Sequence, residues 1–263
     1  KIALFGNEFS SSYIKYINHL VTKLESENVE LIIHHKFHEF LQDSINFSEE
    51  TKTFERITAD ENIDFLFSIG GDGTLLKAVT YVRESNIPIL GINTGRLGFI
   101  SSISTDQIDV AIDNVLKGEY KIRNRTVLQL ETENNLFGTT NFALNEVAIV
   151  KKDTSSMIRI DAFIDDEFLN SYWADGLLIA TPTGSTGYSL SCGGPIILPG
   201  TENIIIAPIA PHNLNVRPII INEKSSIRLK AEDRDQLALV SLDSRSRAFD
   251  SSLELIIKKA DFK

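Results

Sequence analysis

The sequence predicts two domains of different class: an α/β N-terminal domain built on a parallel, Rossmann-like sheet over residues 1–122, and an all-β C-terminal domain over residues 123–263. Three observations predict it. Up to about residue 120, short apolar runs alternate with segments whose apolar residues recur at helical spacing, as when helices cover both faces of a parallel sheet. Beyond Tyr120 the helical spacing gives way to short apolar runs separated by turn residues, the pattern of a β domain. Between residues 69 and 76, a first-domain strand runs into its helix through Ile69-Gly70-Gly71-Asp72-Gly73-Thr74-Leu75-Leu76. No internal repeat and no low-complexity linker separates the halves, so the boundary reads as a tight crossover.

Taken in order, residues 2–5 read as a strand. Ile14, Ile17, Leu20, Val21 and Leu24 mark a helix, and residues 29–33 a second strand. Residues 34–60 are polar with weak periodicity and predict no element. Residues 63–69 are nearly all apolar, which suits a strand covered on both faces, and Leu75, Leu76, Val79 and Val82 predict a helix over about 74–84. A strand at 87–92 follows. Ser104 with Gln107 forms a capping-box pattern ahead of a helix carrying Ile108, Ile112, Val115 and Leu116, which Gly118 ends. In the second domain, residues 127–130 and 142–150 read as extended. Residues 157–164 and 168–172 form a hairpin about the acidic turn Asp165-Asp166-Glu167. Further strands are predicted at 177–180, 204–209, 219–221, 227–229, 237–240 and 253–257.

Bulk properties bound the function. The chain is 42% hydrophobic, and 36 acidic against 26 basic residues give a net charge of -10. That balance disfavours nucleic acid or a membrane surface as main partner, and an anionic substrate would need local positive charge. Cys192 is the single cysteine, so there is no disulfide framework and no cysteine metal cage. A reducing cytoplasm is the expected compartment, and Cys192 reads as a small buried residue. No apolar run approaches a membrane span, and no signal peptide is visible.

The chemistry is expected at the glycine-rich turn. Its glycines let a bulky group approach the main chain, and the amides and positive end of the following helix favour a phosphate. Asp72, set in that electropositive turn, would repel such a ligand unless it binds a metal or takes a proton from an attacking hydroxyl, which argues for phosphoryl transfer. A glycine turn with an Asp stabilising its own backbone is the competing structural reading. There is no P-loop, because no glycine-lysine pair follows a spaced glycine. The dinucleotide fingerprint is incomplete, with Leu76 in place of its third glycine.

Two further stretches stand out. Residues 175–195, from Asp175 through Thr181-Pro182-Thr183-Gly184-Ser185-Thr186-Gly187-Tyr188-Ser189-Leu190-Ser191 to Pro195, hold more hydroxyls and glycines than one turn needs. They offer small donors and the Tyr188 ring to a polar ligand. Asn145 and Glu146 interrupt an apolar strand-like run, where interior polar groups need partners; a ligand or an exposed strand edge would each supply them. His34, His35 and His38 read as a solvated face rather than a metal site, and Ser185 lacks the glycine spacing of a nucleophile elbow.

Together these stretches resemble the NAD kinase family, through Gly70-Gly71-Asp72-Gly73-Thr74, the Asn145-Glu146 pair and the Thr181–Thr186 loop. The stretches 91–99 and 211–218 are similar to it as well. The glycine-rich motif alone is shared with diacylglycerol, sphingosine and phosphofructokinase families; the others in this order point to NAD kinases. The resemblance implies an α/β domain plus a β-sandwich-like domain, and transfer of the ATP γ-phosphate to the 2′-hydroxyl of the adenosine ribose of NAD, giving NADP. It implies Asp72 as general base and Gly71, Gly73, Thr74 and Lys77 at the donor phosphates. Asp72, Gly73, Phe99, Asn145, Glu146, Asp175, Thr183, Thr186, Gly187, Tyr188, Ser189, Leu190, Ser191 and Ala210 would bind NAD. Mg²⁺ or another divalent cation is expected with ATP, with no protein ligand named, and a homodimer or homotetramer is implied. Trp173 and Arg245 stand where many bacterial relatives carry an arginine and a glutamine, and Gly187 where alanine is common. The family continues past residue 263, which leaves open a return of the last strand to the first domain. A diacylglycerol-type lipid kinase would need an apolar pocket in place of Asn145, Glu146 and the hydroxyl-rich loop. A non-catalytic dinucleotide sensor would not need Asp72.

Overall fold

The structure, a computed structural model, describes residues 1–58, 62–95, 98–152, 157–232 and 237–262. Arg96 and Leu97 of the 91–99 stretch lie outside the described residues. The chain divides into two compact units, Lys1–Ile122 and Arg123–Lys263.

In the first unit the elements run β1 (Ile2–Gly6), α1 (Ile14–Ser26), β2 (Leu31–His34), α2 (His35–Leu41), β3 (Lys52–Phe54), β4 (Phe65–Ile69), α3 (Asp72–Val82), β5 (Ile89–Asn93), β6 (Ile103–Ser104) and α4 (Ile108–Lys117). All neighbouring strands are parallel, in the order β3-β2-β1-β4-β5-β6. Alternate strand residues feed opposite faces: Ile2, Leu4, Ile33 and Phe67 pack against α1, α2 and α4, while Ala3, Phe5, Ile32 and Leu66 pack with Ala78 and Val82 of α3. The chain leaves β1 toward β2 on one side and resumes at β4 on the other. The crevice at the carboxyl ends of β1 and β4 is therefore a topological switch point, where open α/β sheets bind ligands.

Three expectations need correction here. α3 begins at Asp72 rather than residue 74, so Asp72 and Gly73 belong to its first turn. The segment expected to be featureless carries α2 and β3, whose short spans bury only Phe37, Leu41 and Phe54. His34 is not solvated: it is 5% exposed, packed by Phe5, Phe54 and Tyr81, with Nε2 3.1 Å from the Tyr81 hydroxyl. Burial, then the neighbouring His35 and Lys77, lowers its pKa to about 4. The α4 signals hold: the Ser104 amide donates to Gln107 Oε1 at 3.2 Å, and Gly118 adopts φ 74°.

The second unit runs β7 (Leu128–Glu131), β8 (Phe142–Ala143), β9 (Glu146–Lys151), β10 (Ile158–Ile164), β11 (Glu167–Ala174), β12 (Gly176–Ala180), α5 (Tyr188–Ser191), β13 (Asn203–Ile209), β14 (Ile219–Asn222), β15 (Ile227–Glu232), β16 (Leu237–Leu242), β17 (Arg245–Asp250) and β18 (Leu255–Lys259). They form two antiparallel sheets, β11-β10-β15-β18-β7-β8 and β14-β13-β12-β9-β16-β17. Their facing residues, among them Ile149, Ile160, Leu177, Ile179, Ile206 and Leu229, make one core, which is a β-sandwich. The β10–β11 turn places Asp165 and Asp166 at φ 50° and 69°, as a two-residue hairpin requires.

β12, between β9 and β13, is buried at every residue because its outer face is also covered. Leu178 and Ala180 pack there with Ala148, Ile205, Ala207, Ile197 and Cys192. The predicted 142–150 strand is broken at Leu144 and Asn145. β17 went unpredicted because only Phe249 of its residues is buried. The last strand, β18, pairs with β15 and β7 inside the second unit rather than returning to the first.

Candidate active site

In the first unit, Gly70 follows β4 with φ 150°, and a Cβ there would lie 2.3 Å from Thr74 Oγ1, so only glycine fits. Gly71 caps α3; the amides of Thr74 and Leu75 donate to its carbonyl at 3.0 and 3.2 Å. The amides of Gly71, Asp72 and Gly73 precede any intrahelical acceptor. Added Cβ atoms at Gly71 and Gly73 would meet nothing within 4 Å, so main chain is presented at the helix end where a phosphate is favoured.

Asp72 is held from across the crevice. Its Oδ2 accepts from the Phe99 amide at 2.8 Å, and its Oδ1 from the amides of Ile100 and Ser101 at 3.1 and 2.9 Å. A carboxylate has about four acceptor positions, so one remains on Oδ2. The 91–101 stretch is built for this grip. A Cβ at Gly98 would lie 2.0 Å from Asp72 Oδ1, and one at Gly91 2.9 Å from Ser101 Cα. Ser101 Oγ donates to the Gly70 carbonyl at 3.2 Å, Asn93 Nδ2 to the Ser101 carbonyl at 3.3 Å, and the Gly95 amide to Asn93 Oδ1 at 2.7 Å. The Phe99 side chain is 73% exposed.

Thr74 and Lys77 meet a residue that sequence reasoning missed. Asn7, just past β1, donates through Nδ2 to Thr74 Oγ1 at 3.3 Å and accepts at Oδ1 from Lys77 Nζ at 3.4 Å. This places one cation and the first turn of α3 together at the switch point.

In the second unit, Asn145 and Glu146 lie where β9 begins, beside the loop that follows β12. The Thr181 amide donates to the Asn145 carbonyl at 2.9 Å, and Thr181 Oγ1 to the Leu144 carbonyl at 2.6 Å. A Cβ at Gly184 would lie 2.1 Å from the Asn145 carbonyl oxygen. Gly187 lies over both side chains: a Cβ there would be 3.4 Å from Glu146 Oε2 and 3.7 Å from Asn145 Nδ2. Alanine would thus fit with little adjustment. β9 is a central strand, so the edge-strand explanation of this polar pair fails. Asn145 Oδ1, Glu146 Oε2 and Ser189 Oγ are buried and make no hydrogen bond among the described residues. Native structures rarely leave such groups unpaired, and the Asn145 and Glu146 atoms, brought together under Gly187, are what a polar ligand would satisfy. Burial, then the nearby Asp243 carboxylate, pushes the Glu146 pKa up to about 7.

The remaining expected residues are distributed along the same loop. Thr183 is buried, with Arg125 Nη1 3.4 Å from its hydroxyl, and Thr186 Oγ1 donates to the Thr183 carbonyl at 3.4 Å. Ser185 serves the loop itself, donating to the Pro182 carbonyl at 2.7 Å and accepting from the Ile197 amide at 3.0 Å. Tyr188 and Leu190 are 45% and 44% exposed, and Ser191 is exposed. Cys192 is half-buried rather than buried; burial, then the Glu146 charge, raises its pKa. Asp175, at the other end of β12, is paired with Lys151 Nζ at 2.6 Å, and its charge reaches Tyr188. Ala210, after β13, is exposed with φ 45°. Arg245 donates to the carbonyls of Thr140 and Phe142, a structural use that accounts for its departure from glutamine. Trp173 is 53% exposed, and nothing in the structure explains its departure from arginine.

Comparison with known proteins decides the family. Residues 2–120 match the model of the ATP-NAD kinase N-terminal domain, and residues 144–260 that of the C-terminal domain. The chain belongs to the NAD kinase family. It is 48% identical to the NAD kinase of Cytophaga hutchinsonii over 262 residues, covering 99% of this chain and 90% of that one. It is 45% identical to the NAD kinase of Flavobacterium johnsoniae over 266 residues, covering 100% and 90%. Among solved structures it is similar to yeast NADH kinase complexed with NADH, with TM-score 0.85, 26% identity, and coverage of 98% and 80%. It is also similar to an NAD kinase from Archaeoglobus fulgidus in complex with ATP, with TM-score 0.77, 27% identity, and coverage of 100% and 91%. The activity is accordingly that of a kinase acting on NAD, and the lipid-kinase and sensor readings fall away.

Proposed function

We propose that the chain transfers the γ-phosphate of ATP to the 2′-hydroxyl of the adenosine ribose of NAD, with Asp72 as general base. The observation that carries this reading is the setting of Asp72: in the first turn of α3, fixed by three amides, with one acceptor position of Oδ2 left for a hydroxyl proton. As Asp72 takes that proton, the ribose oxygen forms a bond to the γ-phosphorus, the bond to the ADP oxygen breaks, and NADP and ADP leave. The amides of Gly71 and Gly73 and the Lys77 ammonium hold the donor phosphates. The Thr74 amide, expected there from sequence, is instead taken by the Gly71 carbonyl, and Thr74 takes part through its hydroxyl, which Asn7 aligns together with Lys77.

NAD binds at the loop that follows β12 and around the two ends of that strand, whose faces are both covered. Asn145 and Glu146 supply unpaired polar atoms at one end, with Ser189 of α5 a further one, and Asp175 and Ala210 lie at the other, about 17 Å away at five residue steps along the strand. Thr183, Thr186, Gly187, Leu190 and Ser191 are the further contacts of the second unit, with Tyr188 stacking, and Phe99 is the contact expected from the first. Among the described residues no three His, Cys, Asp or Glu side chains are grouped to hold a metal ion. Mg²⁺ needs no such cage, since it binds through substrate phosphates and water; it enters as part of MgATP and neutralises phosphate charge. Among the described residues no helix is long and apolar enough to cross a membrane. The reading is completed by a cytoplasmic location and a homodimer or homotetramer, the latter checked by light scattering.

The test is purified protein with ATP, Mg²⁺ and NAD, beside a reaction with diacylglycerol, and the product read with an NADP-specific dehydrogenase and by phosphorus NMR. NADP carrying a 2′-phosphate is expected. Phosphate on another hydroxyl, or on the lipid alone, refutes the reading.

A further inference from the structure

The buried polar pair that meets NAD in this reading is not self-supporting. Leu144 and Asn145 interrupt what would be one continuous strand from β8 to β9, so the amides of residues 144–146 lack ladder partners there. They are taken up by one carboxylate from the β16–β17 turn. Asp243 Oδ2 accepts from the Leu144 amide at 3.0 Å, and Oδ1 from the amides of Asn145 and Glu146 at 2.8 and 3.1 Å. The Asp243 amide in turn donates to the Glu146 carbonyl at 3.0 Å. Asp243 itself adopts φ 51°, a conformation that Asp tolerates better than most residues.

We propose that Asp243 is a positioning residue for the NAD half of the reaction: its carboxylate fixes the backbone of residues 144–146 and so aims the Asn145 and Glu146 side chains at the dinucleotide. This rests on the assignment of Asn145 and Glu146 to NAD. It adds that their aim is set by a residue nearly a hundred positions away that touches neither substrate nor the reacting atoms.

The same carboxylate acts on Glu146 through space. Charged and titratable groups around Glu146 are Asp243 from the β16–β17 turn, with Arg245 behind it, and Cys192 at the end of α5; Gly187 and Asn145 add none. Burial, and then the Asp243 charge, hold the Glu146 pKa at about 7. Loss of the Asp243 charge would therefore move the pH at which Glu146 ionises downward; exposure of Glu146 by a loosened turn would do the same, and Asp243→Glu, which keeps the charge, separates the two.

The experiment measures KM for NAD, KM for ATP and kcat across pH 5.5–8.5, windows chosen around that value, in Asp243→Asn, Asp243→Glu and Glu146→Gln. Asp243→Asn is expected to raise KM for NAD roughly tenfold with kcat and KM for ATP within about threefold of wild type, and to shift the inflection of KM for NAD to lower pH. Asp243→Glu keeps the charge but displaces the turn, so KM for NAD rises while the inflection stays. If Asp243→Asn does not fold, an unchanged KM for NAD in Asp243→Glu overturns the proposal. Glu146→Gln separates the two levels. If it leaves KM for NAD and its pH profile untouched, the assignment of the pair to NAD fails, and the proposal with it. If it removes the inflection while Asp243→Asn matches wild type, only the role of Asp243 is overturned.

Discussion

Asp72 and Asp243 are held in the same way and are proposed to serve different uses. Each carboxylate accepts three consecutive backbone amides, Asp72 from residues 99–101 and Asp243 from residues 144–146. Around Asp72 the neighbouring glycines leave main chain open at a helix end, and an acceptor position remains for a substrate proton. Asp243 is enclosed: burial pushes its pKa up, against the three amides and the Arg245 charge. In the proposed reading it presents to the substrate not itself but the two side chains on the turn it grips. On that reading an identical hydrogen-bond pattern makes a reactive group in one unit and a brace in the other, and the surroundings of the carboxylate decide which.

The comparison can be broken most directly at Asp72. Asp72→Asn is expected to cut kcat on the order of 10²-fold or more, because the amide cannot take the proton and turns an NH₂ toward one of its three donors. Stopped-flow turnover beside the wild type measures it, and a rate near wild type would refute the general base. Gly98→Ala should come next. Its Cβ falls 2.0 Å from Asp72 Oδ1, so the carboxylate must move, and a displacement of this kind costs up to about 10²-fold in kcat with NAD affinity kept. Asn7→Ala should release Lys77 and Thr74 together, raising KM for ATP roughly three- to tenfold and leaving KM for NAD alone. A rise confined to NAD would mean the switch-point cluster serves the other substrate.

The smallest effect sharpens the second half of the comparison. With a pKa of about 7, Glu146 is protonated below neutral pH and charged above it. The charged form accepts hydroxyl donors better, so KM for NAD should fall as pH rises through about 7, and Glu146→Gln should abolish the inflection. Stability runs the opposite way. The folded-state value lies above the ordinary 4.5, so the contribution is full below about pH 4.5 and is lost as pH rises through 7. Glu146→Gln should then raise the melting temperature by a few degrees at pH 8 and hardly at pH 4.5, as calorimetry without NAD would show.

What sequence revealed follows from the range of the interactions involved. β1, α1 and α4 were legible because their signals are local: an apolar run, a helical stripe, a capping pair with a terminal glycine. The strand–turn–helix setting of Asp72 was legible because its glycines and its helix are adjacent in the chain. α2 escaped because Phe37 and Leu41 are its only fully buried residues, too few to set a period, and β17 because it is an edge strand with Phe249 alone turned in. His34 was misjudged because nothing in a polar segment announces the Phe5, Phe54 and Tyr81 rings that enclose it. The break between β8 and β9, and with it Asp243, had no local signal: residues 142–150 read as one apolar run, and the carboxylate that interrupts it arrives from 97–99 residues away.

The division of labour between the two carboxylates is tested most directly by one crossed measurement: NAD dissociation constants by calorimetry and kcat for NADP formation, on the same preparations of wild type, Asp72→Asn and Asp243→Asn. The account predicts that Asp72→Asn loses at least about 10²-fold in kcat with NAD affinity within about threefold of wild type, while Asp243→Asn loses roughly tenfold in NAD affinity with kcat nearly kept. Both variants losing rate and affinity in the same proportion would contradict it.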